Sequence, residues 1–222
     1  MRTFHWKDCR EALLELDAES PLAPDAKGRF FEGGGLRVKP PLVFPLDPGY
    51  PSLAAYLRDL PDAPGRHCVI LMQAGAVSLG RFEDGEALIK KSLRRYVVRG
   101  KGRAQPLHLK TKGKSRYGSR LRLANARKLL VETNEKLLEW EEQFGPADRT
   151  YYSCPVRLWP SLFETTPAPP FKKTDPLVRI PLDLPRPTVD VLQRTYRSFE
   201  YGRIEDAQTL SHDRAQALPA AR

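Results

Sequence analysis

Proline removes a backbone donor and fixes φ, so it is confined to edge strands, turns and the first turns of helices. The chain holds 21 prolines in 222 residues, and only Pro106 and Pro146 fall between Gly65 and Cys154. All the others lie in Ser20–Pro64 or beyond Cys154. Residues 65–154 must therefore supply the regular central structure, and the flanks must rely on shorter pieces.

Within that block, Cys68–Gln73 is an apolar run and Ala76–Phe82 alternates, which predicts a hairpin across Ala74-Gly75. A second turn at Glu83-Asp84-Gly85 leads into Ala87–Lys90, and Leu93–Arg99 is a further β-rich stretch. From Ser119, the residues Leu123, Ala126, Leu130, Thr133, Leu137, Trp140 and Phe144 recur at three- and four-residue steps. This spacing predicts one long helix whose apolar stripe lies on the sheet, stopped by Gly145-Pro146. Thr150–Cys154 reads as a strand, Val156–Phe163 as a short helical or irregular piece, and Leu177–Leu182 as an edge strand because of Pro181. Thr188 caps a helix to Phe199 with Val189, Leu192, Tyr196 and Phe199 on one face, and Tyr201–Glu205 is expected to close the sheet. Three strands, a long helix, a strand and a helix make an α/β or α+β order.

Before this block, Trp6–Leu16 reads as a short amphipathic helix. Ser20–Pro64, with PLAPDAKG, EGGG and PLDPGYP, is expected to cover a surface rather than build a sheet, apart from a short helix at Leu53–Leu60. The expected layout is residues 1–64 as N-terminal helix and Pro/Gly-rich surface segment, 65–206 as the α/β domain, and 207–222 as a frayed tail.

Charge is local. The chain has 37 Lys and Arg against 27 Asp and Glu, for a net +10. Fifteen of the basic residues fall in Lys90–Lys128, 39 residues without one acid, so the remainder is −5. From Gly100 to Gly118 no period holds, which is too long for a simple connection and marks a functional or disordered segment. Lys110, Lys112, Lys114 and Arg116 occupy alternate positions; at about 3.3 Å per residue an extended chain sets them about 6.6 Å apart, near the phosphate spacing of a single strand. That pattern suits backbone contact more than base readout. Tyr117 falls on the opposite side, where it could stack a base.

Arg120, Arg122, Arg127 and Lys128 then open the helix, although the macrodipole favours anions there. A ligand that needs cations explains the choice. No amphipathic apolar face accompanies them, which favours nucleic acid over membrane. No groove-reading module is evident, which favours ribosomal RNA or tRNA over duplex DNA.

Gln105 stands apart inside this segment. Its amide does not titrate near neutrality, so it cannot be a general base, but it can orient a water or hydroxyl while other groups supply electrostatics. Pro106 biases it toward extended backbone. A loop glutamine is ordinarily just a solvated polar residue.

Cys9, Cys68 and Cys154, with His5, His67, His108 and His212, show no ligand spacing, so neither a metal nor a cofactor is expected. No apolar run approaches the roughly 20 residues of a membrane span. The opening MRTFHWKDCREALLELD lacks a signal peptide's apolar centre and carries acids, so a cytoplasmic protein is expected.

RRYVVRGKGRAQ, followed by KSRYGSRLRL and a long helix ending NEKLLEW, resembles the Vms-like release-factor family, relatives of the catalytic domain of eukaryotic class-one release factor. The resemblance spans about residues 66–205 and is specific from Arg94 to Trp140. It implies an α/β, RNase H-like mixed sheet with flanking helices and a long basic catalytic loop. The implied activity is cleavage of peptidyl-tRNA held on a large ribosomal subunit after a stall. The catalytic positions would be Gln105 and the preceding Gly102, with Arg99, Lys101, Arg103, Lys110, Lys112, Lys114, Arg116, Tyr117, Arg120 and Arg122 on RNA. Family loops commonly pair glycines before the glutamine and place serine after it; here Arg103 and Ala104 precede Gln105, and Pro106 follows.

The implied partners are the large ribosomal subunit, peptidyl-tRNA and ribosomal RNA, with no membrane; the sequence leaves the oligomeric state open, a monomer being the expectation. Two chemistries stay open: water attacking the peptidyl ester, or a tRNA 2′-hydroxyl attacking its adjacent phosphate near the CCA end. The alternative function is a non-catalytic rRNA- or tRNA-binding or ribosome-assembly protein. A metal-dependent nuclease ranks last, because no carboxylate cluster is evident.

Overall fold

The computed structural model describes residues 2–47, 49–97 and 115–206, with the side chains of residues 115–118 outside the described set. In chain order the elements are β1 (Arg2–His5), a 3-10 turn (Trp6–Asp8), α1 (Cys9–Glu19), β2 (Ala23–Pro24), β3 (Phe31–Gly33), β4 (Leu36–Lys39) and α2 (Leu53–Asp59). There follow β5 (Arg66–Gln73), β6 (Ala76–Glu83), β7 (Glu86–Arg94), α3 (Ser115–Phe144) and β8 (Arg149–Ser153). The chain continues through α4 (Trp159–Phe163), β9 (Leu177–Arg179), α5 (Val189–Phe199) and β10 (Tyr201–Asp206). It divides into two units, Gly65–Arg194 and a second one that joins residues 1–64 to the chain from Thr195.

In the second unit the strands run β1-β10-β4-β3-β2, all antiparallel. Ser20–Pro64 was expected to form a surface covering, yet it contributes β2, β3 and β4. The reason is the turn: Gly34 and Gly35 sit at φ +56° and +73°, the two left-handed positions of a tight hairpin between Gly33 and Leu36. Glycines read as coil are hairpin chemistry here. Pro24 ends β2 at the sheet's edge, where a missing donor costs nothing. β10 pairs with β1 and β4, so Tyr201–Glu205 belongs to this sheet and not to the central one. Phe4, Leu13, Phe31, Val38, Tyr56 and Phe199 are buried in this unit. Arg10 donates to the carbonyls of Leu57 (2.7 Å) and Leu60 (3.1 Å), supplying partners at the C-terminal end of α2.

In Gly65–Arg194 the order is β7-β6-β5-β8-β9. β5, β6 and β7 form an antiparallel meander, and β8 and β9 add parallel to β5. Counted within this unit the order is 3-2-1-4-5, a mixed sheet with the RNase H-like arrangement. Both hairpin turns fall where glycine predicts them. Asp84 and Gly85 take φ 48° and 93°, while Gly75 takes φ 79°. β7 is one continuous strand from Glu86 to Arg94, residues 95–97 lying outside it and 98–99 of the expected β-rich stretch lying outside the described residues, and the register shift at Arg81/Phe82 leaves Leu88 as the extra residue.

His67–Met72 of β5 are all buried, because the strand is covered on both faces. Cys68, Ile70, Met72, Val77 and Leu79 pack against Leu129, Leu130, Leu137 and Trp140 of α3. On the other face, a Cβ at Gly80 would come within 2.8 Å of the Leu192 side chain, so glycine lets α5 approach. Thr188 caps α5 as expected, accepting from the Val191 amide at 3.1 Å. Phase is kept along the α3 stripe, but its extent is not. Leu123 is 74% exposed, and no residue from 119 to 128 is buried, so α3 runs well past the sheet before Leu129 engages it.

Candidate nucleic-acid interface at the root of the basic segment

β7 ends at Arg94 and α3 begins at Ser115, so the basic segment is held between an edge strand and the longest helix. Gln105, Gly102, Arg99, Lys101, Arg103, Lys110, Lys112 and Lys114 lie outside the described residues. Arg116 and Tyr117 lie in α3 by backbone, their side chains likewise outside the described set. Arg120 is exposed and Arg122 half-buried on the same helix. The Arg122 guanidinium donates to Ser119 Oγ at 3.1 Å.

Helix geometry separates these two arginines. At about 100° per residue, Arg120, Ala124, Arg127, Lys128 and Val131 share one stripe, and Arg122 lies about 200° round from Arg120. The stripe borders a cleft of about 390 Å³ lined by Arg95, Ala124, Arg127, Lys128, Val131 and Glu132. Among the described residues, Arg120, Arg122, Arg127 and Lys128 make no ion pair. Arg120, Arg127 and Lys128, without carboxylate partners among the described residues, form a positive ridge suited to phosphate, and Arg122 adds a charge on another side of the same exposed half-helix.

The same region fixes the chain as it leaves the sheet. Arg95 grips Glu132 of α3 with two donors: Nε reaches Oε2 at 3.0 Å, and Nη2 pairs with Oε1. Asn125 Nδ2 donates to the Tyr96 carbonyl at 2.9 Å. The Arg95 amide donates to the Gly75 carbonyl at 3.0 Å, beyond the last residue of β7. Gly75 is required there: a Cβ would lie 2.7 Å from the Arg95 carbonyl oxygen and 3.3 Å from Val97 Cβ. Residues 95–97 thus run between the β5–β6 turn and α3, tied to both.

Sequence reasoning placed Arg120, Arg122, Arg127 and Lys128 on the first turns of a helix, as the structure does, and missed the ties. Arg95 and Glu132 are 37 residues apart, and Tyr96 and Asn125 are 29 apart. One weak local signal existed: Asn125 is a poor helix former in the interior of a long helix.

Burial pushes the thiols of Cys9 and Cys154 up to about 12 and that of Cys68 to about 11. At neutral pH they are protonated, so they offer no nucleophile. Among the described residues no group of three or more His, Cys, Asp or Glu side chains converges to hold a metal, and no helix is long and apolar enough to cross a membrane.

The mixed 3-2-1-4-5 sheet, with the long helix α3 packed on one face, defines an RNase H-like α/β domain. Residues 67–207 match the family described as the Bacteroidetes VLRF1 release factor, and the chain belongs to that family. Membership carries a release-factor-like role in translation and implies association with the ribosome. A solved structure described as the "Vms1 mitochondrial localization core" is similar at 14% identity, with a TM-score of 0.49, over 87% of this chain and 79% of that one. No curated protein matches the chain.

Proposed function

We propose that this protein cleaves peptidyl-tRNA on large ribosomal subunits left by a stall, freeing the nascent chain, with Gln105 orienting the nucleophile. One observation carries the reading: the exposed half of α3 displays Arg120, Arg122, Arg127 and Lys128 with no ion-pair partner among the described residues, directly after the segment that bears Gln105. Cations held apart from acids bind a polyanion strongly, and RNA bound there would lie on the helix that follows the Gln105-bearing segment in the chain. Lys101, Arg103, Lys110, Lys112, Lys114 and Arg116 extend the same phosphate-binding surface, and Tyr117 stacks a base. Gly102 gives the backbone freedom to approach the reacting ester.

The amide of Gln105 neither takes nor gives a proton in this scheme. It holds the attacking oxygen by hydrogen bonds while cations stabilise the developing charge. Either water attacks the ester carbon, its proton passing to the departing tRNA 3′-oxygen to give free peptide and intact tRNA, or a tRNA 2′-hydroxyl attacks its adjacent phosphate and displaces the 5′-oxygen of the next nucleotide, leaving a 2′,3′-cyclic phosphate on the tRNA and the terminal nucleotides on the peptide. The protein works in the cytoplasm as a monomer.

Isolated large subunits carrying labelled peptidyl-tRNA supply the test, with the tRNA product sized. Gln105→Ala should abolish release while leaving subunit binding intact; unchanged release removes Gln105 from the mechanism. A second reading, RNA binding without catalysis, is favoured by Arg103, Ala104 and Pro106 around the glutamine, where related loops carry glycines and serine. Subunit binding with no product of either kind would establish it.

A further inference from the structure

Antiparallel strands build the sheet of the unit that joins residues 1–64 to the chain from Thr195, and alternation of side chains gives it two faces. Phe4, Phe31 and Val38 are buried on one of them, where Phe31 meets Tyr56 of α2 edge-on at 5.4 Å. The intervening residues make the other face, on which Thr3 is exposed and Tyr201 is 46% exposed. The family match covers residues 67–207, so β1 and β4 lie outside it and membership does not account for what this face carries.

Two rows of side chains cross the face. In the first, Thr3 of β1 lies opposite Arg203 of β10, and Arg203 lies opposite Lys39 of β4. Like charges directly opposite one another destabilise a sheet. The acids of this face are already engaged: Lys39 pairs with Glu205 at 2.9 Å and Arg37 with Glu32 at 2.9 Å. Arg203 makes no ion pair among the described residues. A cation set against another cation at a cost to the fold is an arrangement that an external anion satisfies. In the second row His5 lies opposite Tyr201, their rings edge-to-face with centroids 5.2 Å apart. The Trp6 ring is centred 5.5 Å from that of His5, with the Lys7 ammonium 5.5 Å from the indole centroid. Tyr201 and Arg203 stand two residues apart on β10, about 6.8 Å, or about one nucleotide's length of extended single strand.

We propose that this open face binds single-stranded RNA, with Tyr201 stacking a base and Arg203, beside Thr3 and Lys39, holding the neighbouring phosphate. Stacking on a side chain needs a base released from its helix, so a duplex does not fit. RNA follows from the association with the ribosome that membership implies. The surface shares no residue with the ridge on α3 and holds whether or not the protein cleaves peptidyl-tRNA. Burial, with Lys7 adding to it, keeps His5 below its ordinary pKa, so at neutral pH its ring is uncharged and supports Tyr201 as a flat apolar neighbour.

Ultraviolet crosslinking of the full-length protein to an oligouridylate of about six nucleotides tests this, with the crosslinked peptides mapped by mass spectrometry. Crosslinks should appear in the peptides bearing His5-Trp6 and Tyr201. Their yield at His5-Trp6, followed against oligonucleotide concentration, reads the affinity of this face alone, whatever the α3 ridge binds. Tyr201→Ala should weaken that affinity about fivefold or more, and Tyr201→Phe by less than about twofold. Arg203→Gln should weaken it and lower the slope of log affinity against log salt by about 0.7. The same variant should melt at an unchanged or higher temperature, because it removes one member of the like-charge pair. Should Tyr201→Ala fail to fold, Arg203→Gln carries the test. No crosslink in either peptide, or unchanged affinity in Arg203→Gln, overturns the proposal; with a lower melting temperature the latter would show the arginine serving the fold. Loss of large-subunit binding in Tyr201→Ala with oligonucleotide affinity unchanged would make the face a protein contact and overturn it equally.

Discussion

Tyr152 lies flat on Trp159, with ring centroids 4.0 Å apart and planes 9° apart. Phe163 meets the same indole edge-on at 5.4 Å, and Phe171 lies nearly parallel to it at 6.2 Å. These rings pack against the core formed by β5, β6 and α3, closing the end where β8 hands the chain to α4. Trp159→Ala removes the ring that the other three share. The expected cost is about 3 kcal/mol, from lost burial plus aromatic geometry. It should appear as a lower urea midpoint at unchanged m-value. A loss below about 1 kcal/mol would show that the indole rests on the surface of the core rather than completing it.

Asn134 is fully buried, and its Nδ2 faces three acceptors: the carbonyls of Leu162 and Pro167, both at 2.8 Å, and Thr165 Oγ1 at 2.7 Å. It fastens α3 to the chain that follows α4. Asn134→Ala should cost about 2 kcal/mol by stranding those acceptors. Asn134→Asp should be worse, and in a pH-dependent way. A carboxylate facing acceptors is repelled, so its folded pKa lies above the unfolded one. The protonated acid still donates once, so stability is retained below about pH 4 and lost as pH rises through the folded pKa. Thermal melts at pH 4 and pH 8 would check this; equal losses at both values would mean that the pocket supplies a donor.

What could be read from sequence divides by range. The β5–β6 and β6–β7 turns, the Thr188 cap and the phase of the α3 stripe are set by residues within a few positions of each other, and they appear where expected. Gly33, Gly34 and Gly35 misled because a glycine run looks the same in a coil and in a hairpin until the flanking strands are weighed. β10 misled because strand partners are chosen across the whole chain: Ile204 lies opposite Val38 on one side and Arg2 on the other. Leu123 continued the helical period past the end of the sheet, since periodicity carries no information about sheet width. The role expected of Gln105 rests on resemblance and lies outside the described residues, and the ties at Arg95 and Tyr96 left only the weak signal of Asn125 inside a helix.

Gly75 tests the launch point from the sheet side. Its φ of 79° disfavours any side chain, and a Cβ would press on the Arg95 carbonyl oxygen at 2.7 Å. Gly75→Ala should destabilise by about 2 kcal/mol through backbone strain. It should also raise amide exchange at Arg95, whose N–H bonds to Gly75. Hydrogen-exchange rates at Arg95 and at the mid-strand residue Ile70 would separate local from global opening. Equal acceleration at both sites would show only a weaker fold.

The buried thiols set an alkaline limit. Cys68 is displaced from 9.0 to about 11 by burial, with Arg81 pulling the other way. Because the folded value lies above the unfolded one, the native chain holds its thiol protons more tightly from about pH 9 upward. Their contribution to stability is complete below pH 9 and is lost as pH climbs through 11. Urea midpoints measured from pH 8 to pH 11 should fall, and less steeply in Cys68→Ala. At pH 8 a disulfide reagent should leave all three thiols untouched in native protein and titrate them in denaturant. A fast-reacting native thiol would contradict the burial of that site.

The cation ridge on α3 makes a prediction about salt. Each phosphate neutralised on a nucleic acid releases condensed counterions, so the logarithm of affinity falls linearly with the logarithm of salt concentration. The slope is about 0.7 to 0.9 per contact. Arg120 and Arg127 share a stripe, whereas Arg122 sits on another side of α3 and donates to Ser119. If the stripe faces RNA, Arg120→Gln with Arg127→Gln should weaken subunit binding and reduce the slope by about 1.5. Arg122→Gln alone should change it by less than about 0.5, since a single helix cannot present both sides to one phosphate backbone. Equal slope losses for Arg120→Gln and Arg122→Gln would mean that RNA wraps the exposed half of α3 instead of lying along one side. The stripe would then lose its directing role, and the number of phosphates held would have to rise accordingly.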